Sequence, residues 1–197
     1  MKVIAIDPSI RALGMAVIVP EGEREMLAPA WGVRLVDVQA ADADRFSDLL
    51  AGTAVGVTTL KSKKGSTLLA IDSQAIRVID VIKEVQPDAV AFELPALAAN
   101  ANGHHALAGV LYSIASETAA LGFKVCGAPP ASIKKFMTGR GNASKFDMVA
   151  TTRKTFPGFR GDDNAADALS LSLFTLAAFS GMDLNGAKGF KKSWNGN

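Results

Sequence analysis

Residues 2–19 read KVIAIDPSIRALGMAVIV, and this stretch decides the fold. Its first apolar run, residues 3–6, is typical of a buried strand and ends in a carboxylate, Asp7. Pro8-Ser9 breaks the strand, and a second β-type run covers residues 13–19. The stretch therefore predicts a hairpin with Asp7 at the polar end of its first strand. A lone Asp there is equally well explained as a turn or helix cap.

A second acid, Glu93, repeats this arrangement. Residues 68–85 have apolar side chains at helical spacing, and Gln86-Pro87 ends the predicted helix. The strand DAVAFE, residues 88–93, follows and stops at Glu93. If the two strands are neighbours in one sheet, their terminal carboxylates lie close together, which is costly unless cations lie between them.

A third acidic position opens the last predicted helix, in GDDNAADALSLSLFTLAAFSG, residues 161–181. Residues 165–179 are apolar or small, which predicts a mostly buried helix. Asp163 and Asp167 are four residues apart and share a helix face, which can point toward the polar strand ends. Asp162 is then free to act as the N-cap. The helix dipole alone also favours an acid in the first turn.

The remaining segments predict a mixed α/β fold. Residues 31–38 alternate as a third strand, residues 106–121 have helical spacing, and residues 122–128 form a fifth strand. This order suits a mixed five-stranded sheet with helices on both faces. One face of the 106–121 helix has small side chains that permit close approach of a helix, in a partner subunit or in the same chain. These are Ala108, Gly109, Ser113 and Ser116.

Length and composition predict one domain, residues 1–181. The chain has 197 residues, 49% of them hydrophobic, which suffices for a full core. Residues 39–66 predict a loop-rich insertion, and residues 182–197 predict a flexible basic tail. The single cysteine, Cys126, excludes an internal disulfide and a cysteine-rich zinc site. We expect a cytoplasmic protein, because the sequence has neither a long apolar run nor a cleavable leader.

The net charge of +2 implies no partner, but its distribution does. Residues 124–160 contain eight basic side chains and one acid, Asp147, a local excess of seven positive charges that favours nucleic acid. The basic residues are Lys124, Lys134, Lys135, Arg140, Lys145, Arg153, Lys154 and Arg160. A second cluster, Lys61, Lys63 and Lys64, either contacts phosphate or keeps a loop solvated.

Converging carboxylates with no His or Cys partner favour Mg²⁺ or Mn²⁺ over zinc. Two such ions would activate a water and stabilise the leaving oxygen in phosphodiester hydrolysis. The basic segment would hold the polyanionic substrate, and a lysine near the scissile phosphate would offset charge in the transition state.

Four motifs, in chain order, resemble those of the RuvC-type Holliday junction resolvases, the crossover junction endodeoxyribonucleases. IDPSIRALGMAV resembles their first motif, and FELPALAANAN resembles their second, with an asparagine seven positions after the acid. IKKFMTGRGNASK is similar to their lysine-bearing segment, and DDNAADALSLSL to the acidic start of their final helix. Residues 39–66 and the tail are not covered, which indicates a phage-type or otherwise divergent member.

The resemblance implies an RNase H-like fold, a homodimer and metal-dependent, paired nicking of four-way DNA junctions in recombination and repair. The implied metal ligands are Asp7, Glu93 and Asp167. Lys134 and Lys145 are implied to contact DNA or the scissile phosphate. We expect Lys135 and Arg140, in the same basic segment, to contact DNA as well, and we count Lys134 among the catalytic residues.

The sequence departs from the family pattern three residues before the last acid, where the family has Asp or His and this chain has Asn164. Either Asn164 coordinates metal through its amide oxygen, or Asp163, in phase with Asp167, replaces it. We favour Asp163, because a fourth negative ligand balances two divalent cations better.

Three other functions fit the same pattern. Within the fold, the chain could cut flaps, forks or RNA. An actin-like or sugar-kinase ATPase also opens with an Asp-ended strand and a glycine-containing hairpin, but typically has two such domains and a glycine after the first turn residue. A non-catalytic DNA-binding domain of this fold would not need the acids.

Overall fold

A computed structural model describes residues 1–27, 31–38, 44–62, 64–95 and 101–191. The strands are β1 (Val3–Asp7), β2 (Ala12–Pro20), β3 (Arg34–Val36), β4 (Thr53–Lys61), β5 (Ala89–Glu93) and β6 (Val125–Ala128). The helices are α1 (Asp44–Leu50), α2 (Thr67–Val85), α3 (Ala101–Ala120), α4 (Pro130–Thr138), α5 (Lys145–Thr155) and α6 (Asp163–Ser180). A 3₁₀ segment covers Glu21–Leu27. Lys63, Asn100 and residues 192–197 lie outside the described residues.

The described strands form one mixed sheet in the order β3-β4-β2-β1-β5-β6. The β1–β2, β2–β4 and β3–β4 pairs are antiparallel, whereas β1–β5 and β5–β6 are parallel. The chain thus opens as the predicted antiparallel hairpin. The later strands β5 and β6 run parallel to β1, and a helix connects each of them to the strand before it. The prediction of a mixed sheet is confirmed.

The predicted number of strands was wrong, because β4 lies inside the segment 39–66 that was predicted to be loop-rich. It pairs with β2 along its whole length, from Ala12↔Lys61 to Pro20↔Thr53. Gly56, which suggested a loop, lies mid-strand, where a Cβ would stand 2.3 Å from Cγ1 of Val33. A glycine inside a strand can mark such a close approach rather than a turn.

Helices cover both faces of the sheet, as predicted. Side chains of β1 alternate between two cores, so that Val3 and Ala5 contact the core with α4 and α6, whereas Ile4 and Ile6 contact the core with α2 and α3. Gly109 of α3 faces Cδ1 of Ile71, 3.4 Å from where its Cβ would lie, so this part of the small helix face packs within the chain. None of the described helices is long and apolar enough to cross a membrane.

Residues 182–191, part of the segment predicted to be a flexible tail, pack on the domain. Phe190 contacts the rings of Phe174 and Phe179, at centroid distances of 5.4 and 6.0 Å. The backbone of Lys191 exchanges hydrogen bonds of 2.9 and 3.1 Å with Gly127 beside it. Met182, Leu184, Ala187 and Phe190 all pack against the core, so several apolar side chains attach this segment despite its Gly-rich, basic composition.

Candidate active site

Two of the predicted acids lie at the same end of neighbouring strands. β1 and β5 are parallel, and their register runs from Val3↔Ala89 to Ile6↔Phe92. Asp7 and Glu93 are the next residues on the two strands, and both end their strand half-buried. The sheet therefore places two carboxylates side by side at its polar edge, as the sequence predicts.

The third acid, Asp167, comes from the first turns of α6. The carboxylate of Asp162 caps this helix, accepting a hydrogen bond from the backbone N–H of Ala165 at 3.0 Å, which confirms the predicted cap. The helix start lies against Gly14, the partner of Asp7 in the β1–β2 pair. Because Gly14 has no side chain, the backbone of Asn164 can approach it closely. This contact fixes where α6 meets the β1–β2 hairpin, whose first strand carries Asp7.

A surface pocket of about 580 Å³ joins these acids. Its polar wall consists of three carboxylates, one amide and two cations. They are Asp7, Glu93, Asp167, Asn164, Lys145 and Arg11. Sequence reasoning did not single out Arg11 or Thr67, which also lines the pocket; the only available signal for Arg11 was its place in the turn that follows Asp7.

Burial, together with repulsion from neighbouring acids, raises the pKa values of the carboxylates in this pocket. Burial, followed by repulsion from Asp167, raises the pKa of Asp7 to about 7. Burial and repulsion from Asp7 raise the pKa of Glu93 well above its usual range. Burial raises the pKa of Asp167 to about 6, although Lys145 and Lys134 oppose that shift. Three neighbouring acids with raised pKa values form a site that favours added positive charge.

Asp163 and Asn164 have different surroundings. The ammonium of Lys145 donates to Oδ2 of Asp163 at 2.6 Å, and this hydrogen bond lowers the pKa of Asp163 and raises that of Lys145. Asn164 lines the pocket beside Asp7 and Asp167. The pocket lining therefore favours Asn164 as the further metal ligand, whereas the charge argument from the sequence favours Asp163.

The four predicted DNA-contacting residues divide into two groups. Lys134 and Lys145 lie close enough to the acids to lower the pKa of Glu93, whereas Lys135 lies with its ammonium beside Gly186 in the C-terminal segment. Arg140 forms an ion pair of 3.4 Å with Asp147. The fold thus brings Lys134 and Lys145 to the acids, whereas Lys135 lies near the C-terminal segment and Arg140 is ion-paired with Asp147.

The donor set suits a hard divalent cation, because it consists of carboxylate and amide oxygens. As they stand, no three His, Cys, Asp or Glu side chains among the described residues are close enough together to hold one ion. The raised pKa values of Asp7, Glu93 and Asp167 are the feature that fits a cation, since its charge would offset the cost of burying these carboxylates and the repulsion from their acidic neighbours.

The known proteins that resemble this chain include RuvC endonucleases. No family model matches the chain. A curated relative, the crossover junction endodeoxyribonuclease RuvC of Maricaulis maris (strain MCS10), is 27% identical over 173 residues, covering 88% of this chain and 89% of the relative. The Thermus thermophilus RuvC structure has a TM-score of 0.63 at 19% identity, covering 92% of this chain and 98% of that one. The same protein in complex with a Holliday junction substrate also gives 0.63, at 21% identity, with 92% and 94% coverage.

The fold is RNase H-like, the class to which these structural neighbours belong. The fold places its acids at the ends of two adjacent strands and at the start of a packed helix. Within that class, sequence and fold together relate the chain to the RuvC-type resolvases.

Proposed function

We propose that the chain is a divalent-metal-dependent endonuclease that resolves four-way DNA junctions. The observation that carries the proposal is the convergence of Asp7, Glu93 and Asp167 on one pocket with Lys145 beside them, in a chain related to RuvC. Bringing carboxylates together is costly, so the arrangement is best explained by a cationic ligand. The Thermus thermophilus neighbour was solved with a Holliday junction, and we assign the same substrate class here.

Two Mg²⁺ or Mn²⁺ ions fit this donor set. Asp7, Glu93 and Asp167 would supply carboxylate oxygens, and either Asn164 or Asp163 would supply a further oxygen. When bound, such ions activate a water and stabilise the leaving oxygen of a phosphodiester.

The lysines would hold the substrate phosphate. Side chains of Lys145 and Asp163 are 69% and 38% exposed, so their ion pair contributes roughly 1 kcal/mol or less to stability. Lys145 can therefore exchange Asp163 for a phosphate oxygen at little cost. Lys134, on the neighbouring α4, already acts electrostatically on Glu93 and Asp167. Two ammonium groups at the scissile phosphate would offset the charge that develops during hydrolysis.

We also propose that two copies of the chain act together. Exposed apolar side chains on α2 and α3, two helices that pack against each other, support this assembly. Leu69 and Ile76 lie seven residues apart on one face of α2 and are 46% and 62% exposed, and Tyr112 of α3 is 57% exposed. A two-fold dimer through this face would give the symmetry that two matched cuts in a junction require.

A cleavage assay tests the proposed function. A mobile four-way junction, a flap, a fork and linear duplex would be incubated with the protein and Mg²⁺, and with Asp7→Asn as the control. We expect paired, symmetric nicks in the junction, and none with the variant. Equal cutting of flaps would broaden the activity to branched DNA generally, and binding without cutting in Mg²⁺ or Mn²⁺ would contradict the proposal.

A further inference from the structure

A second groove, of about 450 Å³, lies beside the start of α6 and is lined by residues of β3, β4 and α5. We call it the cationic groove. Four basic side chains line it, all exposed, with one acid, Asp162, among them. The basic residues are Arg34, Lys61, Arg153 and Arg160.

The acid in the cationic groove already has hydrogen-bond donors. Asp162 accepts one hydrogen bond from the hydroxyl of Thr59 at 2.6 Å and another from the backbone N–H of Ala165 at 3.0 Å. These bonds hold its carboxylate at the helix start, where the helix dipole also stabilises it.

Two of the four cations, in contrast, are held in place by neutral carbonyl groups. Arg34 donates to the carbonyl of Arg160, and Arg160 donates to the carbonyls of Pro157 and Phe159. Across the described part of the chain, none of the four basic groups is ion-paired with a carboxylate. Four cations against one anion leave an excess of three positive charges, which favours an anionic partner.

The cationic groove adjoins the acidic pocket along two elements. On the sheet, Lys61 pairs with Ala12, and the preceding residue, Arg11, lines the pocket. On α6, Asp162 in the groove and Asp167 in the pocket are separated by five residues, or about 7.5 Å along a helix axis. Nucleotides of one DNA strand are spaced by about 3.4 Å along the duplex, so this separation corresponds to roughly two nucleotides.

We infer that the cationic groove binds the sugar-phosphate backbone of the cut DNA strand, about two nucleotides from the scissile phosphate. This inference rests on the proposed function, which supplies the DNA. It also joins two separate features of the sequence. Lys61 comes from the lysine cluster at residues 61–64, and Arg153 and Arg160 come from the basic segment 124–160. The groove contributes binding and register rather than chemistry, since none of its cations lines the acidic pocket.

The test compares two double variants that remove equal charge. Lys61→Gln/Arg153→Gln empties the groove of two cations whose side chains form no hydrogen bond in the described part of the chain. Lys188→Gln/Lys191→Gln is the control, because both lysines are exposed and lie outside the groove and outside the basic segment 124–160. Binding of a fluorescein-labelled four-way junction would be measured by anisotropy in EDTA at several KCl concentrations, and cleavage separately in Mg²⁺.

We expect the groove variant to bind the junction about tenfold more weakly at 0.1 M KCl, and its salt slope to fall by about two, since each lost phosphate contact removes about 0.9. Its single-turnover cleavage rate at saturating protein should stay within about twofold of wild type, because the pocket is unchanged. The control should retain wild-type affinity and slope.

An unchanged affinity and slope in the groove variant would overturn the inference, as would an equal loss in the control. If wild type cuts the junction and the groove variant binds normally, only the groove assignment fails. If wild type cuts no DNA but the groove variant alone loses affinity, the groove assignment holds and the proposed function fails. Preferential binding of RNA over DNA of the same shape would overturn the choice of DNA.

Discussion

A Cβ added at Gly14 would lie 2.1 Å from the backbone carbonyl oxygen of Asn164. Such a separation is far below van der Waals contact, so any side chain at this position must push the start of α6 away from the β1–β2 hairpin. Gly14 pairs with Asp7 across the hairpin, and Asn164 lies one turn before Asp167. The distance between Asp7 on the strand and Asp167 on the helix therefore depends on the absence of a side chain at Gly14.

Gly14→Ala should impair both stability and activity, because the atom it meets belongs to a backbone that cannot rotate away. We expect the free energy of unfolding to fall by about 3 kcal/mol and junction cleavage to fall by about 100-fold. Denaturant unfolding and single-turnover cleavage measure the two effects. Gly22→Ala is the matched control, since a Cβ there meets nothing within 4 Å. Wild-type cleavage by Gly14→Ala would refute the proposed role of this contact.

Asp7→Asn should stabilise the metal-free protein at neutral pH while abolishing cleavage. Burial and repulsion from Asp167 raise the pKa of Asp7 from its ordinary value of 3.8 to about 7, so the folded protein binds more protons than the unfolded chain between these limits. The stability that this proton uptake provides is complete below pH 3.8 and is lost as the pH rises through about 7. An amide avoids that loss.

In EDTA at pH 8 the Asp7→Asn variant should exceed wild type in free energy of unfolding by roughly 2–4 kcal/mol, and the difference should vanish near pH 4. Urea unfolding across this pH range measures it. Asp72→Asn, on the exposed face of α2, should give no comparable difference. Equal stability of wild type and Asp7→Asn at pH 8 would mean that folding does not raise the pKa of Asp7.

The sequence predicts that Asp7 and Glu93 lie at one edge of the sheet, because the sequence signals for the two strand ends are local. Apolar runs that stop at Asp7 and Glu93 identify two strand ends, and Asp162 is recognisable as a cap from its place before an apolar helix. Parallel pairing then brings the strand ends together, since neighbouring parallel strands end at the same edge of a sheet.

The features that the sequence did not predict depend on contacts between distant residues. β4 contains Gly56, and only the packing of Val33 against that glycine explains why a strand tolerates it. The ion pair between Lys145 and Asp163 joins two helix starts eighteen residues apart, and no spacing rule indicates it. The cationic groove likewise combines residues from β3, β4 and α5, which become neighbours only in the folded chain.

Asn164→Ala should weaken metal binding more than Asp163→Ala does, because Asn164 lines the pocket and Asp163 is bound to Lys145. We expect Mn²⁺ affinity, measured by titration calorimetry, to fall about tenfold for Asn164→Ala. Asp163→Ala should keep its Mn²⁺ affinity and lose activity modestly, since Lys145 would lose its positioning partner. The reverse order of affinities would restore Asp163 as the ligand that the charge argument favours.

Ile76→Glu should separate the proposed dimer into monomers. Ile76 is 62% exposed and lies on the same face of α2 as Leu69, so a carboxylate there would have to be desolvated in a two-fold interface, opposite its own copy. Sedimentation velocity should show a dimer for wild type and a monomer for the variant. The matched control is Leu35→Glu, which changes an apolar residue of similar exposure, 45%, on the edge strand β3.

Because the acidic pocket is unchanged in the Ile76→Glu monomer, any residual cleavage should consist of single nicks rather than paired ones. A circular substrate that contains an extruded junction distinguishes these outcomes, since single nicks relax the circle and paired cuts linearise it. If Ile76→Glu stays dimeric, or if Leu35→Glu dissociates equally, the interface lies elsewhere. A monomeric variant that still linearises the circle would show that paired cutting does not require the dimer.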